Sequence, residues 1–321
     1  MASPSIALKS QPNVPVVQQQ RLTIEQRQRR WGWVFLSPWI FGFLVFTLVP
    51  MVASLYFSFT DFTTDNGITH ANWIGLKNWN NLLFLDPAIG ASLAVTFKYG
   101  LIALPVSLAF PLLLALLLNS KWLLGKPILR VLFYLPYIVP SVAGLFVWKA
   151  FLNGNSGWLA LALKGIGVQD PPDWLGNPSF VNTGLVLIGL WGVGNAMLTM
   201  MASMQGVPTE LYEAARVDGA NPFVLFIRIT FPMITPVIFY NLVLTVIGLL
   251  QFFDLPYILR TIVRSDESLS FINVNLYLTA FTNHNMGYGS AIAWFLFLIG
   301  LVITVLLFIT SRRWVYYASG E

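Results

Sequence analysis

A polar segment interrupts an otherwise apolar chain: Glu213-Ala214-Ala215-Arg216-Val217-Asp218-Gly219-Ala220, followed shortly by Ile229-Thr230-Phe231-Pro232. Strongly apolar stretches flank this segment on both sides. Charged groups are costly inside a bilayer, so the segment belongs to the aqueous phase and the flanking stretches belong to the membrane. The pattern predicts an all-α integral membrane protein with an exposed polar loop in the second half of its chain.

The composition of the chain is that of a membrane protein. Of its 321 residues, 56% are hydrophobic and only 10% are charged, and the mean hydropathy is +0.70. Soluble domains carry roughly 25% charged residues. The net charge of +5 does not indicate a nucleic-acid partner, because the basic residues lie beside the apolar stretches. The absence of cysteine excludes disulfides, thiol nucleophiles and cysteine-based metal sites.

Six apolar stretches are long enough to cross a bilayer, which takes about 20 residues of helix. They are residues 33–58, 92–118, 129–151, 180–204, 234–253 and 289–311. The fifth stretch begins beside Pro232 and Pro236 and contains Asn241 and Gln251, but prolines are tolerated in the first turn of a helix. We therefore expect six transmembrane helices.

The distribution of lysine and arginine predicts the orientation of these spans. With the N-terminus inside, twelve basic residues fall in cytoplasmic segments and five in outer segments, as the positive-inside rule requires. The twelve are Lys9, Arg21, Arg27, Arg29, Arg30, Lys121, Lys126, Arg130, Arg216, Arg228, Arg312 and Arg313. The five are Lys77, Lys149, Lys164, Arg260 and Arg264. Both termini and the Glu213 loop are therefore expected in the cytoplasm, with the chain multi-pass in the cell (inner) membrane.

Three regions are expected along the chain. Residues 1–31 are polar and rich in Gln, Pro and Ser, which favours a disordered cytoplasmic tail. Residues 32–312 form the six-span membrane domain, and residues 313–321 form a cytoplasmic C-terminal tail. The first apolar stretch is too long and too far from Met1 to be a cleaved signal peptide, so it is expected to remain as a span.

The polar loop carries the signals of a short helix that ends in a turn. Thr209 suits the N-cap position. Glu210 and Glu213 lie in the first turn, where negative charge suits the helix dipole. Gly219 supplies the C-terminal stop, since glycine enters the left-handed conformation at little cost. Residues 223–231 are then expected to form a second, apolar helix that returns the chain to the membrane.

One face of the first loop helix predicts a docking surface. Leu211, Ala214, Ala215 and Asp218 share that face at i, i+3, i+4 and i+7 spacing, and its small residues allow another backbone to approach closely. The alternative is an amphipathic helix that lies on the lipid headgroups. The alanine-dominated face favours a protein partner, and so does the polar side, because anionic lipids repel an acidic helix.

The predicted outer loops are acidic and aromatic. The first contains Asp61, Asp65, Trp73, Trp79 and Asp86. Tryptophans at this depth are typical of the interfacial belt of a membrane protein. A docking surface for an extracytoplasmic binding protein is the alternative interpretation.

Polar and aromatic residues within the spans are candidates for a solute path, because such polar groups are costly in a membrane. The candidates are Trp191 and Asn195, at i, i+4 in the fourth span, and Asn241, Thr245, Gly248 and Phe252, aligned on one face of the fifth. Aromatic rings that stack on sugar faces and amides that bond hydroxyls suit a carbohydrate. The alternative role for these residues is interhelical hydrogen bonding and close packing.

The loop resembles the EAA motif of ABC importer permeases, which reads E-A-A, three residues, G, nine residues and I-x-L-P. Every fixed position matches except the leucine, which is Phe231 here. Weaker likenesses to sugar-type permeases follow in the family's order: LSPW at 36–39, WIGLKNW at 73–79, LLLN at 116–119 and FFD at 252–254. The chain thus resembles a permease of the binding-protein-dependent sugar importers of the maltose and glycerol-3-phosphate type.

The resemblance implies the membrane half of an ATP-driven importer that works by alternating access. The implied partners are two separate ABC ATPase subunits, which use ATP and Mg, together with a second homologous permease, an extracytoplasmic solute-binding protein and membrane lipid. The residues implied in ATPase coupling are Glu213, Ala214, Ala215, Asp218, Gly219, Ile229 and Pro232. Glu213 would anchor the coupling helix electrostatically, Ala214 and Ala215 would pack in a groove of the ATPase, and Gly219 would permit the turn.

Catalysis by the chain itself has little support. It lacks a G-x-x-x-x-G-K-[ST] loop, so we expect neither ATP hydrolysis nor a bound cofactor in this chain. Its two histidines, His70 and His284, lie far apart, and no metal site is expected. The alternative function is a self-sufficient secondary transporter or channel with the Glu213 loop as a surface gate. Residues 260–265 depart from the family's T-x-G-G-P pattern in the corresponding outer loop.

Overall fold

The computed structural model describes residues 24–65, 67–263 and 267–317. In these ranges the chain is helical, as predicted, and its β structure is one isolated bridge between Thr60 and Trp73. The α-helices are α1 Ile24–Phe43, α2 Val49–Phe57, α3 Lys77–Asn80, α4 Pro87–Asn119, α5 Lys126–Ile138, α6 Ser141–Phe151, α7 Trp158–Gly165, α8 Val181–Trp191, α9 Gly194–Gln205, α10 Thr209–Val217, α11 Pro222–Leu225, α12 Phe231–Leu250, α13 Asp254–Val263, α14 Ile272–Tyr277 and α15 Met286–Ser311. Wide π-helical turns lie at Leu44–Leu48, Asn81–Leu85, Phe226–Thr230 and Leu278–Thr282, and a 3₁₀ turn at Ile68–His70.

Four helices of the described ranges are long and apolar enough to cross a membrane: Gln28–Phe57, Pro87–Asn119, Pro222–Ile262 and Met286–Ser311. They cover the predicted first, second, fifth and sixth stretches, except for Ser58 at the end of the first. The third and fourth stretches are bent helix pairs, so the number of candidate spans rises to six if each pair is counted as one span. Length and composition alone support this assignment.

The third predicted stretch breaks between α5 and α6, whose axes differ by 105°. The break follows from Pro140, because a residue before proline is pushed out of the helical region. Val139 is accordingly extended, with φ −70° and ψ 128°, and Pro140 has a ψ of 132°. The predicted apolar stretch over residues 129–151 is therefore a bent pair of helices rather than one continuous helix.

The fourth predicted stretch bends by 53° between α8 and α9. Close packing explains the glycine at the bend: a Cβ on Gly194 would lie 2.7 Å from the Cα of Tyr134 and 2.8 Å from the carbonyl oxygen of Phe133. Trp191 ends α8, whereas Asn195 belongs to α9. The prediction that these two residues share a face at i, i+4 spacing is wrong, because no continuous helix connects them.

The first of two compact units is Met1–Ala53. Its described part begins with α1 at Ile24, so residues 24–31, predicted as disordered, are helical. Their glutamate, glutamines and arginines are good helix formers. Residues 1–23 of the predicted tail lie outside the described residues. Large apolar side chains such as Phe35 and Phe46 are exposed, which suits a helix that meets acyl chains.

The second compact unit, Ser54–Glu321, packs around the long helix α4. Each of its three clusters of buried side chains includes a residue of α4, respectively Tyr99, Leu118 and Ile89. Hydrogen bonds add to this packing: the Thr96 hydroxyl accepts from the backbone N–H of Ile272 at 3.0 Å. Close packing and such bonds hold helices together in lipid, where apolar burial gains little.

The loop between α2 and α4 is held by its own polar groups. The Asn78 amide donates to the carbonyls of Ser58 and Thr60, at 3.1 and 2.9 Å, and the indole of Trp79 donates to the Ser58 hydroxyl. Asp86 caps α4 through the N–H of Ala88 and accepts from the Tyr288 hydroxyl at 2.7 Å. Trp79 and Asp86, which the sequence left open between interfacial belt and docking surface, therefore contribute to the structure of the loop.

The described part of the C-terminal segment also packs on the bundle. The backbone N–H of Tyr316 donates to the Thr235 hydroxyl at 2.9 Å, and the Trp314 ring meets Phe239 edge to face at 5.8 Å. Residues 314 and 316, part of the predicted cytoplasmic C-terminal tail, thus contact α12. Residues 318–321 of that tail lie outside the described residues, as do Arg264 and Ser265 of the divergent outer loop.

Candidate functional site

The polar loop forms the short helix that its sequence predicts. Helix α10 spans Thr209–Val217, and Glu210 lies in its first turn. Glu213 lies beyond that turn, so its predicted position in the first turn was wrong. Thr209 is already helical and Pro208, with a ψ of 131°, precedes it, so no side chain caps the N-terminus. The expected N-cap role of Thr209 was wrong by one position, because the extended backbone of Pro208 begins the helix.

The end of α10 is a Schellman turn, as the glycine predicts. Gly219 has a φ of 82°, in the left-handed region. Its N–H donates to the carbonyl of Arg216 at 3.0 Å, and the N–H of Ala220 donates to the carbonyl of Ala215 at 2.9 Å. A residue with a Cβ is strained at this φ, which explains the requirement for glycine.

The return to the membrane begins at once. The Asn221 side chain accepts from the N–H of Val224 at 2.9 Å and caps α11, whose first residue is Pro222. A π turn at Phe226–Thr230 connects α11 to α12 without a break, so the apolar helix does not end before Pro232 as predicted. The wide turn precedes Pro232, which lacks an N–H and would crowd the carbonyl four residues earlier in a regular helix.

Most of α10 is open to solvent. Val217 is 88% exposed, Leu211 and Ala214 are exposed, and Phe223 at the start of α11 is 70% exposed. Ala215 is partly buried, so the predicted face of Leu211, Ala214, Ala215 and Asp218 is only partly on the outer side. An exposed apolar patch of this kind is typical of a site that interacts with a protein or with the membrane.

The acidic side chains of α10 and its turn are available to a partner. Glu210, Glu213 and Asp218 are exposed. Among the described residues, these three carboxylates form no ion pair. Ile229 is different, because it packs against the buried cluster around Leu118 and Met200. Ile229 therefore helps to hold the loop against this cluster. Pro232 is likewise partly buried.

The candidates for the solute path do not form one site in this structure. The Trp191 ring meets Trp148 edge to face at 5.9 Å, and Asn195 is exposed on α9. Asn241 is buried, and its amide donates to the Val237 carbonyl at 2.9 Å and to the Thr199 hydroxyl at 3.3 Å. This geometry favours the interhelical hydrogen bond for Asn241.

The remaining three candidates lie together. Thr245, Gly248 and Phe252 line one cavity of about 240 Å³, whose wall includes Tyr99 and Ser107 of α4. The rings of Tyr99 and Phe252 are stacked at 5.0 Å with an interplanar angle of 7°. An open aromatic wall with hydroxyl groups can bind a hydroxylated solute.

Sequence reasoning missed Tyr99, which lines this cavity, and Phe271, which packs against two of its lining rings. Phe271 meets both Tyr99 and Phe252 edge to face, at 5.4 Å in each case, and is fully buried. Tyr99 and Phe271 are far from Phe252 in the chain, so no helical spacing connects the three. Among the described residues, no group of three His, Cys, Asp or Glu side chains could hold a metal ion.

Fold and loop together define a multi-pass helical membrane protein with a short, solvent-exposed helix in a polar loop. Residues 107–317 match the family of binding-protein-dependent transport system inner membrane components, and the chain belongs to that family. It is therefore a multi-pass permease subunit of the inner membrane, in which ATP hydrolysis belongs to a separate chain.

Three similar proteins illustrate this membership. The probable ABC transporter permease protein YesP of Bacillus subtilis is 39% identical over 90% of this chain and 93% of its own length. The probable starch degradation products transport system permease protein AmyD of Thermoanaerobacterium thermosulfurigenes is 29% identical, with 88% and 94% covered. A crystal structure of a bacterial alginate ABC transporter, in complex with alginate pentasaccharide-bound periplasmic protein, contains a chain of the same fold: the TM-score is 0.78, at 24% identity over 91% of this chain and 97% of that one.

Proposed function

We propose that this chain is one permease subunit of an ATP-driven, binding-protein-dependent importer and forms half of its translocation path. The observation that carries this proposal is α10, a rigidly terminated helix with exposed carboxylates and exposed apolar side chains. A surface of this kind is costly to leave open and suits a protein partner. The ABC ATPase is that partner in the proposal, and two copies of it would serve the two permeases of a complex.

We assign coupling to the ATPase to residues 213–219 and to the residues that hold this loop on the bundle. Glu213 and Asp218 are exposed carboxylates that can meet a basic groove, and Ala214 allows close approach. Gly219 sets the angle of the turn through its φ of 82°. Ala215, Ile229 and Pro232 are partly buried and hold the loop on the bundle.

The proposed topology has six spans with both termini in the cytoplasm. Each bent pair, α5 with α6 and α8 with α9, counts as one span, which makes the total even. The twelve-to-five distribution of basic residues supports a cytoplasmic position for α10, on the side where an ATPase would bind. The domain then occupies residues 32–312, with α1 extending it by several residues on the N-terminal side.

A sugar or oligosaccharide is the proposed solute. The names of AmyD and of the alginate transporter connect similar chains with carbohydrates. In this chain the cavity of Tyr99, Thr245, Gly248 and Phe252 offers ring faces and hydroxyl groups, the two features that bind a sugar ring. Trp191 and Asn195 remain candidates for the path, since one is partly exposed and the other exposed.

The partner set follows from the same proposal. A second, homologous permease completes the path, and an extracytoplasmic solute-binding protein delivers the solute. The periplasmic protein in the alginate transporter complex supports the latter. Membrane lipid covers the apolar helix faces.

Gentle detergent purification of the tagged chain from its native membrane, followed by mass spectrometry, tests the proposal. We expect an ATPase with a P-loop and a second six-span permease to co-purify. Gly219→Val places a β-branched residue at a φ of 82° and is expected to abolish capture of the ATPase. Gly90→Val is the matched control, because Gly90 is exposed, has no positive φ and has open space at its Cβ.

Recovery of the chain alone, or only as a homo-oligomer, in several mild detergents would overturn the proposal. The self-sufficient secondary transporter, with the Glu213 loop as a surface gate, would then become the better explanation. Transport by the purified chain in vesicles without ATP would support that alternative directly.

A further inference from the structure

A side-chain hydrogen bond joins the docking helix to the membrane helix that follows it. The Tyr212 hydroxyl of α10 lies 2.9 Å from the Thr230 hydroxyl, at the end of the π turn that leads into α12. Tyr212 is partly buried although Leu211 and Val217 beside it on α10 are exposed, so its side chain points back to the bundle. The bond bridges eighteen residues of chain.

The Thr230 hydroxyl has a second neighbour, the carbonyl of Leu225 at 3.4 Å. The contact with Tyr212 is the shorter of the two, at 2.9 Å, and either hydroxyl can be its donor. Thr230 is buried, with 7% of its surface exposed, which makes a broken bond at this position costly.

The covalent route between the two helices is poorly suited to carry a force. It passes through the turn at Gly219, the short helix α11 and the π turn before Pro232. Proline removes one hydrogen bond from the ladder of α12, and a π turn is a frequent site of helix adjustment. Movement of α10 could be absorbed along this route without reaching α12.

The Tyr212 bond bypasses that route at a packed position. Tyr212, Ile229 and Met233 all pack against one buried cluster, which includes Met204, Val207 and Ile234. The two hydroxyls therefore lie at a well-packed position, between α10 and the first turn of α12. Packed contacts of this kind switch between discrete arrangements and do not deform gradually. They can therefore transmit a displacement.

We propose that Tyr212 is a positioning residue for energy coupling: its hydrogen bond to Thr230 makes α10 and α12 move together when the ATPase moves the docking helix. This inference rests on the proposed function, because it needs an ATPase on α10. It assigns the transmission step to a side chain of the inner face of the helix, whereas docking belongs to the exposed face.

Spin labels on the two helices test the inference in the purified complex. This chain has no cysteine of its own, so Arg216→Cys on α10 and Leu244→Cys on α12 each add a single labelling site to it, and both positions are exposed. The distance between the labels is measured by pulsed electron paramagnetic resonance, without nucleotide and after trapping with ATP and vanadate. Tyr212→Phe, Thr230→Val and the double variant each remove the bond, and Tyr317→Phe, at an exposed tyrosine, is the control.

We expect one common distance in both states for the parent and for Tyr317→Phe. In the three variants that lack the Tyr212–Thr230 bond, the distance should shift between the states by about 1–2 Å, the usual size of a helix displacement, while the ATPase stays bound. The double variant should shift no more than the single ones, because a single bond is lost. A purely stabilising bond would change both states alike.

Equal distances in both states of Tyr212→Phe, with the ATPase still captured, would overturn the inference and leave the proposed function standing. Loss of the ATPase from Tyr212→Phe would also overturn it, because the hydroxyl would then serve docking. A labelled parent that captures no ATPase would refute the proposed function itself.

Discussion

The docking loop and the interior of the bundle are built in opposite ways. The loop from Pro208 to Asn221 is defined by short-range stereochemistry, with a left-handed glycine, two backbone hydrogen bonds and an asparagine cap. The interior near α4 is defined by residues from distant parts of the chain, such as Tyr99, Phe252 and Phe271, whose rings meet within 5.4 Å.

This difference separates stability from function. Interior residues are buried, and truncating them leaves cavities or unpaired groups that destabilise the whole unit. Loop residues such as Glu213 and Val217 are exposed, and changing them alters little except the surface that a partner meets. The following variants test that contrast, in order of decreasing effect on the stability of the chain.

Phe271→Ala should have the largest effect. The ring is fully buried and makes edge-to-face contacts with two other rings. Its removal is expected to lower the free energy of unfolding by about 3 kcal/mol. The midpoint of thermal unfolding in detergent measures this, with Phe281→Ala as the control, since Phe281 is 54% exposed. Equal losses in both variants would contradict the assignment of the core to the interior ring cluster.

Gly194→Ala should destabilise the chain by about 2 kcal/mol, because the new Cβ would lie 2.7 Å from backbone of α5. Gly189→Ala, one helix earlier, has open space and is expected to be neutral or slightly stabilising. The two thermal midpoints are compared under one detergent condition. A stable Gly194→Ala would show that the bend between α8 and α9 does not depend on this close approach.

Local stereochemistry explains which parts of the fold the sequence could predict. The end of α10 at Gly219 and the cap at Asn221 depend on neighbouring residues, so their signals are written within a few positions. Four of the six apolar stretches likewise appear as long helices, because about 20 apolar residues suffice to cross a bilayer.

The parts that the sequence did not predict depend on longer-range contacts. The bend at Gly194 follows from its approach to Tyr134, and the start of α1 at Ile24 shows that a polar, Gln-rich stretch can still be helical. Val139 is the exception. Its position before Pro140 is a local signal for a helix break, but the prediction followed the continuous hydrophobic pattern instead. The contact of Tyr99 with Phe252 and that of Thr230 with Tyr212 could not be predicted from sequence spacing.

Asn241→Leu should cost about 1 kcal/mol, the usual value of a hydrogen bond between membrane helices. The variant leaves the Thr199 hydroxyl without its partner on α12. Asn195→Leu, at an exposed amide, is expected to leave the thermal midpoint unchanged. If Asn241→Leu is also stable but changes solute uptake by the reconstituted complex, Asn241 belongs to the path and the packing interpretation is wrong.

Glu213→Gln should have no measurable effect on stability and a clear effect on assembly. The carboxylate is exposed and lies beyond the first turn of α10. Stability therefore depends neither on its burial nor on its interaction with the helix dipole. Loss of its charge should weaken capture of the ATPase and reduce the dependence of capture on salt, because a charge pair across the interface is removed. Pull-down at two salt concentrations measures both.

Glu210→Gln is the matched control for this last variant, since Glu210 is an exposed glutamate in the first turn of the same helix. This variant should retain capture of the ATPase. Because the charge of Glu210 interacts favourably with the helix dipole, its removal should lower the stability of α10 slightly. Equal weakening by both variants would mean that the net charge of α10, rather than one anchoring carboxylate, attracts the partner. A loss of stability in Glu213→Gln as large as that in Asn241→Leu would erase the contrast between loop and interior, because the loop would then be part of the folded core.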